Sequence, residues 1–173
     1  MRTLGKVRAL FAFFRTHRGE LFNNSFQEQL AGMYRQTGAG EEAVPPALLC
    51  MAILLQGYVG ASDAEAVELT VVDLRWQMVL GCLGADEPAF AQGTLQAFRD
   101  RLVAHELDRV LLERTVALVR THVVKKKEAD GLVTKIRVAI DSRPLVGAGR
   151  VEDTINLLGH AARTIVRIVS TIT

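Results

Sequence analysis

The sequence predicts a mainly α protein: a multi-helix N-terminal domain over residues 1–124, a linker over 125–131, and one strand and one helix of an incomplete α/β unit over 132–173. Three observations predict it. Apolar residues recur at helical spacing in one segment after another as far as Val124. The stretch "KKKEADG", charged and without large apolar residues, then interrupts the pattern. Behind it the hydrophobic period drops from about 3.6 to 2, and from Val151 it returns to the helical value.

The elements follow in order. Leu4, Val7, Leu10, Phe11 and Phe14 mark a first helix, with Gly19 as its expected stop. Ser25 followed by Glu28 predicts a capping box opening a second helix, in which hydroxyl and carboxylate each satisfy a free backbone N–H, and Gly38 is its expected end. Pro45 and Pro46 suit a helix start. The helix they introduce, 47–58, is apolar nearly all round and is expected at the buried centre, ending at Gly60. Ser62 and Glu65 form a second capping box, read as opening one helix through "AVELTVVDLRWQMVLG" with Val67, Val71, Leu74 and Met78 inward. "GADEP" is a loop, Thr94 the next expected cap, and a further amphipathic helix covers about 107–124. Leu132, Thr134, Ile136, Val138 and Ile140 then share one strand face, and Asp141 ends the other. A lone strand leaves edges and faces unpaired, so missing neighbours or a second molecule are expected, a homo-oligomer among the possibilities. The terminal "RTIVRIVSTIT" reads as interrupted within an element.

Composition narrows the class. At 49% hydrophobic residues the chain can build a substantial core, so disorder is not the default. The longest apolar run, "AVPPALLCMAILLQGYVGA", is too short and too interrupted to span a bilayer, so no membrane partner is expected. Two separated cysteines, Cys50 and Cys82, read as free thiols, and a cytoplasmic location fits. The net charge of +2 divides unevenly: +4 over residues 1–37, −7 over 38–97 and +5 over 98–173. Basic ends flanking an acidic middle suit a polyanion, although solvated helix faces give the same count.

Few motifs carry chemistry. His17, His105, His122 and His160 are scattered with no ligand spacing, and each is read as a surface or half-buried histidine. "GAG" after the strand lacks the third glycine of a dinucleotide fingerprint and the Gly-Lys-Ser/Thr of a P-loop. In "QGTLQAFRDRLVAH", Gln92, Gln96 and Arg99 share a helix face, with Arg101 to the side. Glutamine and arginine contact adenine and guanine edges, and arginine pairs with phosphate; an ordinary polar face has the same composition.

"YVGASDAEAVELTVVDLRWQMVLGCLGADEP" followed by "GTLQAFRDRLVAHELDRVLLE" resembles the helical InsH-like N-terminal domain of bacterial insertion-sequence transposases. The shared features are Tyr58 and Gly60, Ser62 to Glu65, Asp73 to Trp76, Leu80 with Gly81, and Phe98 to Leu102, and the resemblance covers about residues 20–160. It implies that Asp141 is the first carboxylate of a DDE triad on an RNase H-like sheet. The triad's metals, about 3.5–4 Å apart, need three carboxylates, and hard oxygen ligands suit Mg²⁺. Here only Glu152 and Asp153 follow Asp141, and they read as helix N-terminal charges. Asp141 is therefore expected to be catalytic and metal-binding only in a complete enzyme, and no metal is expected to bind tightly in this chain. The resemblance implies the N-terminal part of a truncated DDE transposase that binds double-stranded DNA at transposon ends through Arg8, Arg15, Gln92, Gln96, Arg99 and Arg101. A stand-alone helical DNA-binding or regulatory module and a decayed reading frame are the alternatives.

Overall fold

Side-chain capping sets the start of three of the described helices. The computed structural model describes residues 2–34 and 43–124, with side chains from Ala9 to His122 among them. Among the described residues there are seven α-helices, a π-helical turn and no strand. The expected linker and the incomplete α/β unit lie outside them.

The first helix, α1 (Arg2–Leu21), continues through Gly19. The stop expected at that glycine does not occur, because it keeps a helical backbone and the helix end is tied from elsewhere. Arg114 donates from Nε to the Leu21 carbonyl at 2.9 Å and from Nη2 to that of Glu20 at 3.2 Å. Leu10, Phe11, Phe14 and Leu21 form the inward stripe. The short α2 (Asn24–Ala31) is capped by Asn23, whose Oδ1 accepts from the Phe26 N–H at 3.1 Å. Asn23 thus replaces the expected Ser25–Glu28 box. The earlier start buries Phe26 and Leu30 one turn apart. Gly38, the expected end of this helix, lies outside the described residues.

Pro45 and Pro46 do open a helix, α3 (Pro46–Val59), and Gly60 closes it in the left-handed region at φ 77°. Every residue from Leu49 to Gln56 is buried. This apolar helix is the centre of the core, in contact with α2 and the three helices that follow it. Among the described residues no single helix is long and apolar enough to cross a membrane.

The Ser62–Glu65 capping box is present in full and opens α4 (Asp63–Val72). The single long helix expected here is in fact two. The backbone extends at Asp73 (φ −110°, ψ 105°), and α5 (Leu74–Leu80) starts afresh. Asp73 caps it by accepting from the Arg75 N–H at 2.8 Å and pairs with the Arg75 guanidinium. The break resets the register: Trp76, Gln77, Val79 and Leu80 are buried, whereas Leu74, expected inward, is 69% exposed. Val67, Val71 and Met78 are only half-buried, and Ala66 and Thr70 take the inward positions of α4.

Two buried polar side chains organise the loop that follows. The Gln77 amide donates to the carbonyls of Val71 (2.8 Å) and Ala85 (3.0 Å) and accepts from the Gly84 N–H (3.0 Å). The Thr70 hydroxyl accepts from the Ala89 N–H at 3.1 Å. Each satisfies backbone groups that the loop would otherwise leave unpaired. The next helix, α6 (Gln92–Ala104), starts two residues before the expected Thr94, after an Ala91 without a side-chain cap. Leu95, Phe98 and Leu102 anchor it in the core. Glu106, at φ 56°, turns the chain into α7 (Leu107–Val119), which widens into a π-helical turn over Arg120–Val124.

Candidate nucleic-acid interface

The residues expected to face DNA divide into two groups. Arg15, Gln92, Gln96 and Arg101 are exposed. Arg15 lies on α1 and donates from Nη1 to the Met78 carbonyl near the end of α5 at 2.8 Å. Its neighbour Arg18 donates to the Leu80 carbonyl at 2.8 Å and to that of Val79 at 3.3 Å. The two cations sit where α5 leaves carbonyls without helical partners, the end that a positive charge favours. Arg101 lies over the Tyr34 ring at 4.8 Å, which pre-orders its guanidinium while leaving it in solvent. Gln92 occupies the first position of α6. Arg8 belongs to α1, two turns before Arg15, but its side chain is outside the described set, as is all of Asp141.

Arg99 faces the other way. It is 6% exposed, and its guanidinium spans three helices. Nη1 donates to Asp63 Oδ2 at 2.7 Å and Gln96 Oε1 at 3.1 Å. Nη2 donates to Gln56 Oε1 at 2.7 Å and also pairs with Asp63 Oδ1. The Gln56 amide closes the ring by donating to Asp63 Oδ1 at 2.7 Å. Asp63 is the first residue of α4, where a carboxylate also complements the helix dipole. The Arg99 hydrogen bonds hold the Asp63 carboxyl below the usual carboxylate range, assisted by Gln56 and opposed by partial burial. The structure thus joins Gln96 to Arg99 while Gln96 stays exposed; the Arg99 guanidinium is turned toward α3 and α4, so in this arrangement it offers no free edge to a base. Among the described residues, no hydrogen bond or ion pair links Arg15 to the α6 set.

These contacts also explain the short motifs. Ser62–Glu65 and Phe98–Leu102, distant in sequence, meet in the Asp63–Arg99 pair. Asp73–Trp76 is the break and cap between α4 and α5, with Trp76 fully buried. Leu80–Gly81 is a helix end: Gly81 adopts φ 83°, and a Cβ there would lie 2.7 Å from Arg18 Nη1. The recognisable residues are therefore those that set helix boundaries and cross-links.

Sequence reasoning missed one grouping. His17 and His122, read as unrelated, have their rings 3.8 Å apart, and Glu20 Oε2 lies 2.6 Å from His122 Nε2 and 3.6 Å from His17 Nδ1. The only sequence signal was the i, i+3 spacing of His17 and Glu20 on α1.

Among the described residues the class is a helical module with an apolar central helix, a buried arginine–aspartate cross-link and exposed arginines on its outer helices. Residues 13–101 match the family described as Transposase domain (DUF772), and the chain belongs to that family. No curated protein and no solved structure matches it.

Proposed function

We propose that this chain is the N-terminal, DNA-binding part of an InsH-like DDE transposase and that it engages double-stranded DNA at transposon ends. Membership of the transposase-domain family carries the reading. The charge distribution supports it, with +4 over the first 37 residues and a basic C-terminal part. Phosphate contacts fall to Arg8 and Arg15 on α1, and Arg101 and Gln92 present α6 to the duplex. Arg99 acts one layer behind, fixing α6 on α3 and α4 so that its outer face has a defined orientation.

Asp141 is the one carboxylate that corresponds to the triad, and it would contribute to holding Mg²⁺ in a complete enzyme alongside acids from other residues. The cysteines, Cys50 buried and Cys82 half-buried, are free thiols, in keeping with a reducing cytoplasm.

The test is an electrophoretic shift with a duplex of the element's terminal repeat and a scrambled duplex of equal length. Preferential retardation of the terminal repeat, weakened in Arg8→Ala and Arg15→Ala, is the expected result. Equal retardation of both duplexes would remove end recognition from the proposal, and no retardation of either would remove DNA binding.

A further inference from the structure

The end of α1 and the π-helical turn after α7 bring together three side chains with metal-ligand chemistry. His17 and Glu20 stand three residues apart on α1, one face of a helix. Arg114 holds this end of α1 against α7 through the Glu20 and Leu21 carbonyls. Beyond α7, the wider π-helical spacing of Arg120–Val124 places His122 on the same point. Such turns recur at functional sites because they reorient a side chain within an otherwise regular helix.

His122 Nε2 lies 2.6 Å from Glu20 Oε2, and His17 Nδ1 lies 3.6 Å from the same oxygen. The three candidate donor atoms all fall within 4.8 Å of one another. A tetrahedral ion with bonds of about 2.0–2.1 Å separates its ligand atoms by roughly 3.3 Å, which small side-chain rotations reach from this arrangement. The set is two imidazoles and a carboxylate, which favours zinc and its borderline neighbours over Mg²⁺ or Ca²⁺. Side-chain exposures of 21% for His17, 32% for His122 and 51% for Glu20 leave room for ion entry and for solvent to complete the coordination. Phe13, its ring centroid 4.7 Å from His17 and 6.5 Å from His122, walls one side.

We propose that His17, Glu20 and His122 form a binding site for one divalent transition-metal ion of the zinc type, tying the end of α1 to the point where the chain leaves α7. The site uses none of the side chains assigned above to DNA contact or to the triad. Its consequence is mechanical: a bound ion fixes the exit direction of the chain just before the charged segment at 125–131.

The test uses the full chain without an affinity tag. Co²⁺, as a spectroscopic stand-in for zinc, is titrated while visible absorption is recorded, and Zn²⁺ binding is measured by calorimetry. One ion per chain is expected, with d–d bands of nitrogen–oxygen coordination and a melting temperature that rises with Zn²⁺. Glu20→Gln and His122→Ala should each weaken binding by at least about tenfold, the loss found even for groups one shell removed from a metal. His105→Ala should bind as the parent does. Proton NMR of the parent chain supplies a readout independent of variant folding: the imidazole signals of His17 and His122 shift with Zn²⁺, and those of His105 and His160 do not. No saturable binding, undiminished binding in both variants, or shifts confined to the other histidines would overturn the proposal.

Discussion

Removing Asp63 isolates the contribution of the cross-link between α3, α4 and α6. In Asp63→Ala the Arg99 guanidinium loses both carboxylate oxygens and keeps only Gln56 and Gln96 as partners, with its Nε already buried and without a partner. Breaking a buried pair from one side costs about 3–5 kcal/mol, because the remaining charge stays desolvated. The Asp63 side chain is 19% exposed and that of Arg99 7%, so water can reach part of the vacated space and the lower end applies, about 3 kcal/mol. At roughly 3–4 °C per kcal/mol for a domain of this size, the melting temperature should fall by about 10 °C. Urea unfolding followed by far-ultraviolet circular dichroism gives the free energy. The double variant Asp63→Ala/Arg99→Met should recover part of the loss, since replacing both members of a buried pair by apolar atoms is often near neutral. The pH dependence has a definite sign. The carboxyl of Asp63 is held below its unfolded value, so its contribution is full above about pH 4 and is lost as pH falls through the lowered value. Asp63→Asn should therefore flatten the acid limb of the stability curve. A loss under about 1 kcal/mol in Asp63→Ala, the range of solvent-exposed pairs, would refute the cross-link.

Gly81→Ala should cost about 2–3 kcal/mol, combining left-handed strain with displacement of the Arg18 guanidinium from the α5 carbonyls, whereas Gly60→Ala, with open space at its Cβ, should cost only the strain, about 1 kcal/mol; chemical denaturation compares them. Arg101→Ala should leave unfolding free energy within about 1 kcal/mol of the parent while lowering the magnitude of the salt slope of DNA binding by about 1, and an unchanged slope would remove Arg101 from the phosphate contacts. The 173-residue chain should not nick a terminal-repeat duplex with Mg²⁺ or Mn²⁺, and neither should Asp141→Ala; metal-dependent nicking abolished by the substitution would show that other residues complete the site.

Much of the helical order was legible because its signals are local. The Pro45–Pro46 start, the left-handed Gly60 and the Ser62–Glu65 box each act within a turn of the backbone they control, and all three stand where the sequence put them. The break at Asp73 was not legible, since apolar spacing continues across it and an aspartate on a helix face looks the same as one that caps. Gly19 misled in the opposite sense: with Arg114 supplying the end, a glycine costing about 1 kcal/mol in a helix is tolerated. The candidate site was only partly legible. Arg99 shares a polar stripe with Gln92 and Gln96, and nothing local shows that its charge is answered by Asp63, 36 residues earlier. The contact of Glu20 with His122 spans 102 residues and depends on a π-helical turn that no spacing rule signals. Contacts of this kind belong to the packing of the bundle, and the sequence carries only their separate halves.

The proposed DNA-binding role is tested most directly by fluorescence anisotropy of a labelled terminal-repeat duplex titrated with the chain at several salt concentrations. Neutralising about six phosphates predicts that log K falls with log salt at a slope near −5. Binding independent of salt, or no binding at about 50 mM salt, would contradict it.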